Sequence, residues 1–249
     1  MIIGNCLYCK KEFRKREHKY KFCSLFCSNN FNKNGLKNVK LPLYSFSLAE
    51  FVGICLGDGH ISKYQTAVTL NALADKNYIP YVISLAKNLF KGANISVLSK
   101  KKENAIDVRI NSRIVSDFFL NMGIIPNNKS IPNWIYSDPE YIKACIRGLL
   151  DTEGSISFKR YSSRKGISLY KQLNFRNTNM QLMAFVREGL LAIGLKPTLS
   201  LTKSLYLSNH KSINRFSKII GFSNPKLIER SLVVTINDYN DWRRKSSLI

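Results

Sequence analysis

The segment "FVGICLGDGHIS", residues 51–62, decides the fold of this chain. An apolar run with the composition of a buried helix ends here in Gly57, Asp58 and Gly59. Taken alone, this ending predicts an ordinary turn, because Asp-Gly is a common turn pair and Gly often follows the last residue of a helix. A repeat of the same pattern elsewhere in the chain indicates that the acid has a further role.

The repeat lies at residues 141–156, "YIKACIRGLLDTEGSI". Alignment of the two segments places Glu153 opposite Asp58 and Gly148 opposite Gly53, and the two acids are 95 residues apart. One such segment is compatible with a turn that happens to contain an acid. Two segments that each end in an acid before Gly indicate a duplicated element.

The segments that follow each apolar helix repeat as well. Both halves read as helix, strand, strand, helix, strand, strand and helix. Asn111 and Asn209 are 98 residues apart, and so are Gly123 and Gly221. Because these offsets are nearly constant, we predict an α+β fold made of two related units.

Both apolar helices carry start signals in the sequence. Ser47 and Glu50 have the spacing of a capping box, and Asp138 stands as an N-cap before a first-turn proline. These signals set the expected boundaries of the first unit at residues 47–137 and of the second at 138–249.

The charge balance restricts the class of partner. Lys and Arg number 39 against 16 Asp and Glu, so the formal charge is +23, spread along the whole chain. A folded basic surface of this kind usually binds a polyanion, most commonly nucleic acid, although ribosomal proteins and binders of anionic membranes share the signature. No apolar run is long enough to span a membrane, and no signal peptide is recognisable. We therefore expect a cytoplasmic, nucleoid-associated or organellar protein that is not secreted and has no membrane partner.

The N-terminal cysteines form two close pairs. Cys6 and Cys9 are spaced C-x2-C, and Cys23 and Cys27 are spaced C-x3-C. Four thiolates in two pairs suit a closed tetrahedral zinc site, whereas disulfides are not expected in a reducing compartment. We predict a structural Zn²⁺ in a basic module at residues 1–28, followed by a polar basic linker at 29–46.

The duplicated motif resembles that of the LAGLIDADG homing endonucleases in their monomeric, two-motif form. The motif maps onto "FVGICLGDG" (51–59) and "IRGLLDTEG" (146–154), and the resemblance extends over roughly residues 47–245. It implies two pseudo-twofold-related α-β-β-α-β-β-α units whose antiparallel sheets bind DNA as a saddle. The N-terminal Cys segment lies outside this core and looks like a treble-clef zinc finger.

The same resemblance implies a metal site where the two motif helices end. The family's metal ligands correspond to Asp58 and Glu153, and the backbone carbonyls of Gly57 and Thr152 are implied as further ligands. Mg²⁺ is the expected catalytic ion, with Mn²⁺ as an alternative. Asp151 lies two residues before the second ligand, so we expect it to point elsewhere.

The resemblance also implies polar or basic residues around the metal. Asn71 and Asn177 occupy comparable places before a helix, although helix capping or turn formation would explain them equally well. The family's basic residue after the second motif has no clear counterpart. Ile156 lies near that place, and Lys159 and Lys63 are the alternatives.

Basic and amide side chains along the predicted strands are the candidate DNA contacts. Arg, Asn and Gln can read base edges, whereas Lys mostly meets phosphate, and an isolated Lys is more simply a solvated residue. The candidates are Lys63, Gln65, Thr69, Lys100, Lys102, Arg109, Asn111, Lys159, Arg160, Arg164, Lys171, Gln172, Asn174, Arg176, Lys203 and Asn209.

These observations lead to one principal functional hypothesis and two alternatives. The principal one is a monomeric, metal-dependent endonuclease that cuts both strands of a long asymmetric DNA target, and the family implies short 3′ overhangs. The first alternative is a non-cleaving nucleic-acid binder such as an intron RNA maturase. The second, a zinc-bearing ribosomal or RNA-binding protein, leaves the duplicated acids unexplained. Because no splice-junction residues stand at either end, an intron-encoded or free-standing protein is expected rather than an intein.

Overall fold

The computed structural model describes residues 2–15, 17, 20–36, 39–125, 128–164, 166–200 and 203–246. None of the helices within these ranges has the length and apolar character needed to cross a membrane.

The N-terminal module consists of a hairpin and one helix. Strand β1 (Ile2–Asn5) pairs antiparallel with β2 (Glu12–Lys15), and helix α1 (Leu25–Leu36) follows. The helix covers residues 29–36, which the Asn-rich composition had placed in the linker, so that prediction is wrong for this part. Packing overrides the weak helix propensity of Asn, because Cys27 holds the first turn at the cysteine cluster and the Phe22 and Phe31 rings lie 5.1 Å apart.

The first unit has the predicted order of elements. They are α2 (Phe46–Asp58), β3 (Gly59–Ser62), β4 (Gln65–Asn71), α3 (Ile79–Leu89), β5 (Asn94–Lys100), β6 (Ala105–Asn111) and α4 (Arg113–Asn121). A short hairpin of β7 (Ile124–Ile125) and β8 (Asn128–Lys129) follows. The predicted capping box at Ser47 is wrong, because Ser45 is the N-cap and its hydroxyl accepts the N–H of Leu48 at 3.3 Å.

The second unit repeats this order. Its elements are α5 (Pro139–Glu153), β9 (Gly154–Ser163), β10 (Gly166–Arg176), α6 (Met180–Ala192), β11 (Thr198–Ser200), β12 (Ser204–Ser208) and α7 (His210–Ile219). Helices α8 (Pro225–Leu232) and α9 (Ile236–Ser246) complete the described chain. Asp138 caps α5 as predicted, since its carboxylate accepts the N–H of Glu140 at 2.8 Å.

Each unit contains one four-stranded antiparallel sheet. The strand orders are β3-β4-β6-β5 and β11-β12-β10-β9. One face of each sheet packs on the helices through alternating apolar residues such as Val68, Val108, Leu173 and Phe175. The other face lacks a helical cover within the described residues, and we call it the open face. The predicted α+β class and the antiparallel sheets are therefore confirmed.

Helices α2 and α5 join the two units at a pair of glycines. A Cβ atom added to Gly53 would lie 2.1 Å from the carbonyl oxygen of Cys145, and one added to Gly148 would lie 2.1 Å from that of Glu50. Real Cβ atoms do not come this close to other atoms, so only glycine permits the contact. The close approach brings the C-terminal ends of both helices to the same place.

Candidate active site and nucleic-acid interface

The carboxylates of Asp58 and Glu153 lie beside each other at the ends of α2 and α5. A Cβ atom on Gly57 would lie 3.2 Å from the Cγ atom of Glu153, which shows how near the two helix ends are. Burial and the neighbouring Glu153 raise the pKa of Asp58 to about 6, and burial also raises the pKa of Glu153. Two half-buried acids that repel each other are a costly arrangement unless a cation offsets their charge.

This donor set fits a divalent cation. Carboxylate oxygens are the ligands that Mg²⁺ and Mn²⁺ prefer, and two helix C-termini add partial negative charge. Asp58 and Glu153 would hold the ion. The Gly57 carbonyl already accepts a hydrogen bond from Lys129 at 3.0 Å, so one of its lone pairs is used. Ligation by the Gly57 and Thr152 carbonyls stays a prediction.

Lys129 is a site residue that the sequence analysis missed. Its Nζ atom donates to the carbonyl oxygens of Leu56 at 3.1 Å and Gly57 at 3.0 Å, at the end of α2. Burial lowers the pKa of this ammonium group, while Asp58 and Glu153 act in the opposite direction. The two-residue strand β8 that carries Lys129 had no recognisable pattern in the sequence.

Lys226 is a second missed lysine near the site. Its Nζ atom lies 2.7 Å from Oδ1 of Asp75, to which the amide of Asn224 also donates at 3.2 Å. Lys129 lies 71 residues after the first motif acid and Lys226 lies 73 residues after the second. The two spacings are similar, but this similarity is recognisable only once the structure has shown which lysines lie near the acids.

Asp151 anchors a neighbouring loop and does not join the acid pair. Its carboxylate accepts the backbone N–H groups of Ser223 at 2.9 Å and Asn224 at 3.1 Å. Burial raises its pKa to about 7, while the two hydrogen bonds work against that rise. This position agrees with the expectation that Asp151 points elsewhere.

The two predicted asparagines have different positions. The Asn177 amide donates to Oε1 of Glu153 at 3.3 Å, so it contacts a candidate ligand. The Asn71 side chain instead accepts the N–H groups of Leu73 at 3.0 Å and Ala74 at 2.8 Å and closes a turn. For Asn71 the hydrogen bonds therefore favour the turn-forming alternative, and its predicted catalytic role has no support in these contacts.

The four N-terminal cysteines converge as the spacing predicts. The Sγ atoms of Cys6, Cys9, Cys23 and Cys27 all lie within 4.8 Å of one another. The Sγ atom of Cys23 is 3.6 Å from that of Cys9 and 3.4 Å from that of Cys27. Thiolates around tetrahedral zinc stand ~3.8 Å apart, so this cluster fits a closed four-sulfur site that can hold a metal.

The open face of the first sheet carries the predicted polar contacts. Gln65 and Asn111 face this side and share a hydrogen bond of 2.7 Å. A buried acid that sequence reasoning missed, Asp107, binds Arg109 at 2.7 Å and Lys100 at 3.2 Å. Asp107 fixes the directions of these two cations, and their hydrogen bonds lower its pKa against the effect of burial.

The second sheet confirms some predicted positions and contradicts others. Lys159, Gln172, Asn174 and Arg176 lie on the open face by strand alternation. Lys171 points to the opposite side, where it is fully buried and its Nζ atom donates to the Ser231 carbonyl at 2.6 Å. The Arg160 side chain also lies on the helix side, over the Tyr239 ring at 5.9 Å. Predicting Lys171 as a DNA contact was wrong, because side chains one residue apart on a strand face opposite sides and this one is buried. Arg160 lies off the open face but is exposed, so its contact with DNA stays a prediction.

The remaining candidates lie at strand ends. Lys63, Lys102, Arg164 and Lys203 are exposed in the turns that connect consecutive strands. The Asn209 side chain caps α7 by accepting the N–H of Ser212 at 2.8 Å. Asn209 is therefore a capping residue that is also exposed, and its contact with DNA stays a prediction.

The chain is similar in sequence and in fold to known proteins. Residues 140–221 match the family model of the LAGLIDADG-like domain. The homing endonuclease I-WcaI bound to its DNA recognition sequence has a TM-score of 0.52, with 13% identity over 82% of this chain and 93% of that one. I-DmoI in complex with DNA and Mn has a TM-score of 0.50, with 19% identity over 71% and 96%. The chain therefore has the LAGLIDADG fold.

Curated relatives are similar over a small part of their own length. A DNA polymerase of Thermococcus sp. (strain GE8) is 28% identical over 85% of this chain and 13% of that protein. The RNA polymerase subunit Rpo1C of Methanocaldococcus jannaschii is 24% identical over 81% of this chain and 22% of that protein. The chain thus spans less than a quarter of either relative.

Proposed function

We propose that this protein is a site-specific DNA endonuclease that hydrolyses both strands of its target with a divalent metal held by Asp58 and Glu153. The observation that carries this proposal is the half-buried acid pair where two helices end, with the ammonium group of Lys129 beside it. The LAGLIDADG fold supports it, since solved proteins with this fold are named as homing endonucleases bound to DNA.

The curated relatives support a separable activity. One is named a DNA polymerase and the other a subunit of an RNA polymerase, yet both share the same stretch with this chain. Because the shared stretch is a minor part of each, it need not carry either polymerisation reaction. A nuclease activity that is independent of the surrounding protein fits this distribution.

In the proposed reaction, a few residues bind the metal, orient its ligands and supply positive charge. When bound, the metal would act as a Lewis acid on the scissile phosphate. Asp58 and Glu153 hold it, and Asn177 orients the carboxylate of Glu153. Lys129 and Lys226 supply positive charge on either side, where negative charge develops during phosphodiester hydrolysis.

The open faces of the two sheets supply the proposed specificity. Gln65, Arg109 and Asn111 on one sheet and Gln172, Asn174 and Arg176 on the other can read base edges. Because the two units differ in sequence, the target is long and asymmetric, and one chain suffices as a monomer. The cysteine cluster holds Zn²⁺ as a structural ion in the N-terminal module.

The test is cleavage of a randomised duplex library with and without added Mg²⁺. A strong chelator is avoided because it would also remove zinc from the cysteine cluster. Asp58→Asn and Glu153→Gln run beside the wild type, and Asp117→Asn, an exposed acid on α4, is the matched control. We expect the wild type and the control to enrich one long cut site in Mg²⁺ alone.

The two site variants are expected to bind that sequence without cutting it. A wild type that binds duplex DNA but never cuts would contradict the proposal. In that case binding of structured intron RNA would be measured next, because a maturase would then be the better description.

A further inference from the structure

The N-terminal module exposes two large apolar side chains next to each other. Leu25 is 82% exposed and Phe26 is 70% exposed, at the start of α1. Leu7 is 41% exposed, and its N–H group binds the Lys21 carbonyl at 3.0 Å, which brings the first cysteine loop against the segment before the helix. Adjacent exposed apolar residues are unfavourable in water and indicate a surface that meets a partner.

These side chains stand on a rigid support. Leu25 and Phe26 lie between Cys23 and Cys27, whose Sγ atoms are 3.4 Å apart in the four-sulfur cluster. The residues on both sides of the pair therefore belong to the cysteine cluster. Because their backbone is held in this way, the Leu25 and Phe26 side chains can insert into a partner without a rearrangement of the helix start.

The charge of the module favours one class of partner. The described part of the module exposes Lys10, Lys11, Arg14 and Lys21. A small basic module that exposes an apolar pair suits a partner that is anionic outside and apolar within, which describes the phosphates and stacked bases of duplex DNA. Proteins that open base steps from the minor groove use apolar wedges of this type.

We propose that Leu25 and Phe26 form a wedge that inserts between base pairs from the minor groove, beside the DNA covered by the two sheets. The wedge adds a DNA contact outside both LAGLIDADG units and bends or unstacks the duplex there. This inference rests on the proposed DNA binding but not on cleavage.

The test uses zinc-loaded protein without added Mg²⁺ and a mixed-sequence duplex carrying 2-aminopurine beside TA steps, which unstack readily. Wild type should raise the 2-aminopurine fluorescence. The double variant Leu25→Ser, Phe26→Ser should give no rise and should bind about tenfold more weakly. Phe26→Trp should retain the signal, and Leu43→Ser, an exposed leucine outside the module, should behave as wild type. Equal zinc content in all variants shows that the module is intact.

Several results would overturn the wedge. One is binding of the duplex by the wild type without any fluorescence rise, and another is a double variant that matches the wild type in both readouts. Self-association or binding to anionic phosphatidylserine vesicles that the double variant abolishes would assign the pair to another partner. Complete absence of duplex binding by the wild type would instead contradict the proposed function itself.

Discussion

The Nζ atom of Lys226 lies 2.7 Å from Oδ1 of Asp75, whereas its counterpart Lys129 donates to backbone carbonyls. Lysines at matching places of the two units are thus held by different partners. Asp75 also contributes to the raised pKa of Asp58, so the two sides of the acid pair differ in charge. The internal symmetry of the site is therefore approximate, and this has a measurable consequence.

Asp75→Asn should affect the two DNA strands unequally. The substitution removes the ion pair that fixes Lys226 and leaves the contacts of Lys129 intact. We expect the nicked form of a supercoiled target plasmid to accumulate several-fold, because one strand is then cut more slowly. Asp117→Asn serves as the control, and equal slowing of both strands would show that Asp75 does not act through Lys226.

Gly53→Ala should destabilise the chain strongly. The added Cβ would meet the Cys145 carbonyl, and backbone atoms cannot move aside as a side chain can. We expect a loss of about 3 kcal/mol in the free energy of unfolding, at the upper end for overpacking. Urea unfolding measures it against Gly189→Ala, whose Cβ meets only side-chain atoms, those of Ile146 and Ile142. A similar loss in both variants would contradict the special role of the helix contact.

Lys171 should make stability rise with pH. Burial lowers its pKa to about 8 from 10.5, so between these values the unfolded chain binds a proton that the folded chain has released. The free energy of unfolding from this residue therefore increases as pH rises through 8 towards 10.5. The free energy of unfolding of the wild type minus that of Lys171→Met should increase across this range, as measured by urea unfolding at each pH.

Lys171 and Lys159 should differ in their contribution to DNA binding, although the sequence had predicted both as DNA contacts. Lys171→Met should bind duplex DNA as the wild type does, since the side chain is buried. Lys159→Met, on the open face, should weaken binding and reduce the salt dependence by about one phosphate contact. A loss of affinity in Lys171→Met without a loss of stability would contradict the position of this side chain.

The cysteine cluster should bind one zinc ion per chain. We expect Cys9→Ser to lower the zinc content and to weaken DNA binding, because the N-terminal module cannot fold without its metal. Metal analysis after gel filtration measures the content, and Asp117→Asn, outside the N-terminal module, is the control. Full zinc occupancy in Cys9→Ser would show that the cluster is not the site.

Much of the fold could be predicted because the sequence contains two copies of the same unit. The order of elements in both units follows from the repeat, and a repeated pattern corrects the ambiguity of each single copy. The side of the sheet to which each strand residue points was harder to predict from the sequence. Lys171 and Gln172 are neighbours with similar polarity, and only the packing of α8 against the sheet decides which one is buried.

The candidate site was predictable in its acids but not in its lysines. Asp58 and Glu153 lie inside the motifs, where helix and turn signals define them. Lys129 reaches the site from a two-residue strand, and Lys226 reaches it through the loop that Asp151 anchors. Neither placement has a local sequence signal, since both depend on contacts between segments far apart in the chain.

The glycine contact between α2 and α5 also limits how this protein can change. Since the two helices meet with no room for a methyl group, the distance between them cannot change without loss of the contact. Under the proposed function, a new DNA preference has to arise through side chains on one sheet or the other, and each half can diverge without disturbing its partner. The acid pair then keeps its position whatever the DNA sequence, so the proposed recognition and cutting are free to evolve at different rates.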